Sequence, residues 1–131
     1  HEIMKDQHSG NIINITSLAA YRGRANQLTY CAASNAVDVM TQNLAHQLGP
    51  EGIRVNAIAA GIIETGFDEM PADDTEEKRE DRRLRTPLQR FGTAEDLVQP
   101  AVFLASDMSD YVTGAVLMVD GGMHVHMTGQ D

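Results

Sequence analysis

The run Asn11-Ile12-Ile13-Asn14-Ile15-Thr16 constrains the fold more than any other stretch of the chain. Isoleucines at 12, 13 and 15 place apolar side chains on both faces of an extended segment, because successive strand residues point to opposite sides. Such a strand needs cover above and below, as strands of parallel sheets have. The next segment supplies it. Val37, Met40, Leu44 and Leu48 recur at steps of three and four, which predicts a helix over 28–48 with one apolar stripe. Gly49-Pro50 stops that helix, and 53–59 reads as a second strand with Ile53, Val55 and Ala57 on one side.

Residues 62–92 follow the least regular pattern. Pro71, Pro87 and a charged block over 73–85 divide them, and the i,i+4 pairs Asp74–Lys78 and Asp81–Arg85 suit a solvated helix. Arginines 79, 82, 83 and 85 suit either an acidic carrier or phosphate, or a plain solvent face, which the interleaved acids favour. Thr93 is an N-cap residue with Glu95 and Asp96 in the first turn, and Leu97, Ala101 and Leu104 mark the buried stripe of the helix it opens. A third apolar strand follows over 115–119. Alternating strands and helices imply a parallel sheet with crossover helices.

Ligand sites of such sheets lie at the carboxyl ends of the strands. Ser17 stands at one such end, and Tyr30 stands thirteen residues on, at the head of the long helix. A hydroxyl that binds a carbonyl oxygen beside a phenol that gives or takes its proton makes a general acid/base pair. The bland alternative is a polar strand end and a helix-start tyrosine. Cys31, with Ala32, Ala33, Ser34 and Ala36, reads as small packing residues that admit close approach, rather than as a reactive thiol site. His124 and His126 can share a face in an extended tail, but two histidines without a third ligand do not make a metal site, and none is expected.

Several spaced motifs in order resemble the second half of a short-chain dehydrogenase/reductase. They are the 11–17 run, Tyr30, Gly49-Pro50-Glu51-Gly52-Ile53-Arg54-Val55-Asn56, Gly61-Ile62-Ile63-Glu64-Thr65, Pro87-Leu88-Gln89-Arg90-Phe91-Gly92, and Val112-Thr113-Gly114 leading to Val119-Asp120-Gly121-Gly122. The resemblance covers nearly all of 9–123, and 3-oxoacyl-carrier-protein reductases and hydroxysteroid dehydrogenases are resembled about equally. It implies an α/β fold: the C-terminal part of a Rossmann-like, doubly wound parallel sheet, three parallel strands with crossover helices. It also implies hydride exchange between NAD or NADP and a carbonyl or secondary alcohol. By resemblance Ser17 and Tyr30 are the catalytic residues, and Tyr30, Ser34, Gly61, Ile63 and Thr65 are the cofactor-binding positions.

Three departures accompany the resemblance. Where the family has a lysine four residues after the tyrosine, on the same helix face, this chain has Ser34. A tyrosine of ordinary pKa, about 10, is ionised to only about one part in a thousand at pH 7, so the lost cation costs both proton transfer and ribose binding. Arg22 and Arg24 are the available substitutes. Ala60 stands where proline usually precedes the glycine. The glycine-rich βαβ unit that binds the pyrophosphate, with its ribose-binding acid, has no counterpart here, nor has the asparagine of the family's catalytic tetrad. The expectation is one partial Rossmann-like domain over 1–131, impaired or inactive by itself. The alternative is a non-catalytic scaffold or oligomerisation module that kept the fold.

The remaining features bound partners and setting. A formal charge of −9 opposes nucleic acid and anionic membranes as general partners. No apolar run spans a bilayer, and the single cysteine suits a reducing cytoplasm. The chain begins at His1 in what reads as the last turns of a helix closing at Ser9-Gly10, as a processed or excised piece would, with a naturally short protein as the alternative. An apolar first strand without its preceding neighbour invites pairing, so association into a dimer or tetramer is expected, with a small carbonyl or alcohol as substrate.

Overall fold

The computed structural model describes residues 1–23, 26–64 and 75–125. In chain order the elements are α1 (Glu2–Asp6), β1 (Gly10–Ser17), α2 (Leu28–Leu48), β2 (Ile53–Ala60), β3 (Ile63–Glu64), α3 (Glu76–Leu84), β4 (Gly92–Thr93), α4 (Ala94–Ala105) and β5 (Val116–Val119). β1, β2 and β5 form a parallel sheet in that order, and β3 pairs with β4 in a two-stranded parallel patch that the sequence pattern did not disclose. Gly10 pairs with Ile53 and Ser17 with Ala60, while Ala60 also pairs with Val119. Ser17, Ala60 and Val119 therefore stand side by side at the carboxyl rim. Ala60, in the proline position of the family, is an ordinary strand residue between two partners.

Alternation along the strands puts the two long helices on opposite faces. On one face Ile12 and Val55 pack with Ala45 of α2. On the other, Asn11 donates through Nδ2 to the Leu104 carbonyl of α4 at 2.5 Å. Arg54, the register partner of Asn11, donates to the Leu104 carbonyl at 3.0 Å, the Ser106 carbonyl at 3.1 Å and Ser109 Oγ at 2.8 Å. One guanidinium thus satisfies carbonyls that the end of a helix leaves without partners. Asn56 is wholly buried and fixes the approach to β5, donating to the Val112 carbonyl at 2.9 Å and accepting from the Ala115 N–H at 3.0 Å. β2 is the centre of the core, with Ile53, Val55, Ala57, Ile58 and Ala59 all buried.

α2 spans the expected residues, but its buried line differs from the expected stripe. Ser34, Asp38, Thr41 and Ala45 face inward, Val37, Leu44 and Leu48 are half-buried, and Met40 is 46% exposed. The inward polar groups are partly bonded to the sheet: Asn14 Nδ2 donates to Thr41 Oγ1 at 2.8 Å. The expected helix stops also move by a few residues. His8 (φ 50), not Gly10, takes the left-handed conformation after α1, and Gly52 (φ 76), not Gly49, takes it after α2. A Cβ on Gly52 would lie 2.3 Å from the His8 carbonyl oxygen, so both the backbone angle and the packing require glycine there.

Candidate functional site

Ser17 ends β1 in extended backbone, and its Oγ accepts the Ala19 N–H at 3.1 Å. That bond orients the hydroxyl and leaves its proton available to an incoming oxygen. Beside it opens a cavity of about 350 Å³, with Leu18, Gly61, Ile62 and Met123 on its wall together with Arg22, Arg82 and Arg85. Three separate rim segments, after β1, after β2 and after β5, meet there because the strands run parallel.

Tyr30 lies in the first turn of α2, 53% exposed, and is not part of that cavity wall. Ser34 follows one turn on and is buried, and Asp38 follows another turn on with both carboxylate oxygens buried and outside hydrogen-bond geometry. Burial first, and the Asp38 carboxylate second, push the Tyr21 hydroxyl up to about 12. The helix therefore carries Tyr30, Ser34 and Asp38 along one line, with no lysine on it. Arg22, one of the two expected substitutes, enters the wall of the Ser17 cavity. Arg24, the other, lies outside the described residues.

The three remaining expected cofactor positions are placed unequally. Gly61 donates its N–H to the Val119 carbonyl at 3.0 Å, and a Cβ on it would lie 2.7 Å from Asp120 Cα. Close packing on the residue that follows β5 thus demands glycine. Ile63 sits in β3 opposite Gly92 and lines a second cavity of about 500 Å³. Thr65 lies outside the described residues.

Asp120 is the functional-looking residue that pattern reading missed. Its side chain, 2% exposed, accepts from the Gly122 N–H at 2.9 Å, the His124 N–H at 2.6 Å and faces His124 Nδ1 at 2.8 Å. The Val119-Asp120-Gly121-Gly122 motif was its signal: Gly121 (φ 63) and Gly122 (φ 86) turn the chain back over Asp120 and pack on Thr86 and Pro87. His124 is thereby turned onto a carboxylate rather than into a tail, and His126 lies outside the described residues. Among the described residues no group of three candidate ligands converges on a metal position. Arg90 braces the same cavity, donating to Asp96 Oδ2 at 2.6 Å and Oδ1 at 2.8 Å.

A parallel sheet covered on both faces, with a polar hydroxyl and a cavity at its carboxyl rim, defines part of a Rossmann-like α/β protein. The family model described as enoyl-(acyl carrier protein) reductase matches residues 1–124. The chain belongs to the short-chain dehydrogenase/reductase family. It is 43% identical over 126 residues to an L-rhamnose 1-dehydrogenase (NAD(P)+) of a Sphingomonas species, covering 96% of this chain and 49% of that protein. It is also 43% identical over 121 residues to a 3-oxoacyl-(acyl-carrier-protein) reductase of Thermotoga maritima, covering 92% and 48%. The crystal structure of a gluconate 5-dehydrogenase from Burkholderia cenocepacia in complex with NADP and tartrate superposes with TM-score 0.90 at 33% identity, covering 96% of this chain and 49% of that one. The chain thus spans about half the length of the relatives it matches.

Proposed function

We propose that this chain supplies the substrate-binding and proton-transferring half of an NAD(P)-dependent oxidoreductase acting on a carbonyl or secondary alcohol. The observation that carries the reading is Ser17 at the rim of a parallel sheet, its hydroxyl oriented by Ala19 and opening onto a cavity. When bound, the nicotinamide supplies the hydride or accepts it. Leu18, Ile62 and Met123 give part of the Ser17 cavity wall an apolar character that would suit the flat ring end of such a cofactor, beside the arginines at 22, 82 and 85. Gly61, Ile63 and Thr65 are the positions that would hold that end, with Tyr30 and Ser34 toward the ribose.

In this reading Ser17 donates a hydrogen bond to the substrate oxygen and fixes the carbonyl plane. Tyr30 delivers a proton to that oxygen in reduction and takes it back in oxidation. Ser34 offers a hydroxyl where an ammonium would favour the phenolate, so proton transfer is slow and the chain is a weak catalyst. Arg22 stands on the same cavity wall as Ser17 and orders the substrate side of the cavity. The buried Ser34 also favours a second reading, a family member kept as a scaffold or oligomerisation module.

One substitution separates the two. In the chain joined to the glycine-rich half of a relative, Ser34→Lys should raise NADPH-dependent carbonyl reduction by about 100-fold, the scale of one acid/base contribution. Adding Tyr30→Phe should remove the gain. Equal and negligible turnover with serine or lysine at 34 would favour the scaffold.

A further inference from the structure

The arginines of the Ser17 cavity carry an inference about the substrate. α3 is a strongly charged helix whose pattern alone reads as a solvent face, yet it turns Arg82 and Arg85 toward the cavity that holds the candidate serine. Arg22, from the segment after β1, enters the same wall. The wall therefore gathers arginines from two distant parts of the chain, and among the described residues it includes no aspartate or glutamate. The chain as a whole carries a formal charge of −9. Against that net negative charge, a local concentration of guanidinium groups at one concave place focuses an opposite potential there.

The arginines have protein contacts of their own, and that of Arg85 opposes a ligand little. Arg85 meets Asp81 at 2.8 Å with both side chains more than half exposed. An exposed pair of this kind is worth little, so turning the guanidinium to another carboxylate costs little. Arginine also matches a carboxylate with two parallel N–H bonds. The cavity volume, about 350 Å³, lies at the small end of ligand pockets (about 300–1,000 Å³).

We propose that the Ser17 cavity takes a small hydroxy acid or its keto form, with the carboxylate on Arg82 and Arg85 and the oxidisable carbon toward Ser17. The inference rests on Ser17 being the residue that meets the substrate oxygen, as in the proposed function. It separates the neutral sugar of the rhamnose dehydrogenase relative from the acid in the name of the gluconate dehydrogenase relative.

The test is calorimetric titration of the 131-residue chain with D-gluconate, L-rhamnose and inorganic phosphate, without cofactor. Gluconate should bind saturably, at least tenfold tighter than either of the others, and weaken as salt is raised. The double variant Arg82→Gln/Arg85→Gln should lose at least tenfold in gluconate affinity, while Arg79→Gln, outside this cavity, should not change it. If circular dichroism shows the double variant unfolded, the single Arg85→Gln variant carries the same expectation at smaller size. Absence of saturable gluconate binding, rhamnose or phosphate binding as tight as gluconate, or variants that bind like the parent would overturn the proposal. Those outcomes leave hydride transfer standing. Conversely, gluconate binding as expected, with no turnover after Ser34→Lys, would sink the hydride-transfer reading and keep the anion site.

Discussion

At the scale of single residues, the proposed chemistry rests on two hydroxyls, Ser17 on the cavity wall and Tyr30 outside it, with serine at position 34 of the same helix. As candidates, Ser17 and Tyr30 were legible because their chemistry and spacing are local to one strand, one loop and one helix, and of the two only Ser17 lines the cavity. What lies beneath Tyr30 was not legible. Asp38 sits in a stretch where Val37, Val39 and Met40 suggest the inward side, yet the helix turns Asp38 in and leaves Val39 and Met40 about half exposed. The choice is set by packing against β1 and β2, which hydrophobicity along one helix does not encode. The Asp38–Tyr21 neighbourhood has a spectroscopic consequence. Of the three tyrosines, Tyr21 should ionise near pH 12 in an ultraviolet titration, and Asp38→Asn should bring that step down. The folded phenol is raised above its usual 10, so its contribution to stability is complete below about pH 10 and is lost as pH climbs toward 12. A Tyr21 step unmoved by Asp38→Asn would show that burial alone sets it.

At the scale of elements, the motif Arg54-Val55-Asn56 finds its reason in hydrogen bonds rather than in catalysis. Arg54 closes the end of α4, Val55 fills the core, and Asn56 holds the 112–115 turn. Removing Asn56 leaves a part-buried carbonyl and a part-buried N–H without their partner, at roughly 1–2 kcal/mol each, the lower part of the range for unsatisfied groups. Asn56→Ala should therefore lower the urea-unfolding free energy by about 2–4 kcal/mol; a loss under half of that would mean water replaces the side chain. α4 begins as its sequence indicated, with the Asp96 carboxylate accepting the Thr93 N–H at 2.8 Å. Arg90 first, and that N–H second, hold the Asp96 carboxyl well below the usual carboxylate range. The resulting stability is present above about pH 4 and is lost as pH falls further, through the depressed value. Asp96→Asn should lower the melting temperature at pH 7 and flatten its decline below pH 4. Strand and helix identities were readable because apolar periodicity reports them. The β3–β4 pairing was not, since two residues on each side form no pattern.

At the scale of the molecule, the described strands leave β1 with a neighbour on one side. β1 pairs only with β2 among the described residues, and its α4-side face is covered at Asn11 but open at Ile15, which is 61% exposed. Leu28, Val39, Met40, Val98 and Val102 add further exposed apolar surface on α2 and α4. An edge and faces of this kind favour pairing with another chain. Analytical ultracentrifugation at micromolar concentration should show association, and Ile15→Lys should shift it toward monomer; a stable folded monomer of the parent chain would contradict this. Among the described residues no helix is long and apolar enough to cross a membrane.

The most direct measurement is a fluorescence titration of the 131-residue chain with NADPH. If, as proposed, this chain supplies the substrate and proton-transfer residues while the pyrophosphate is held by another segment, the titration should show no saturable binding through the micromolar range. Tight, saturable binding would contradict that division of labour.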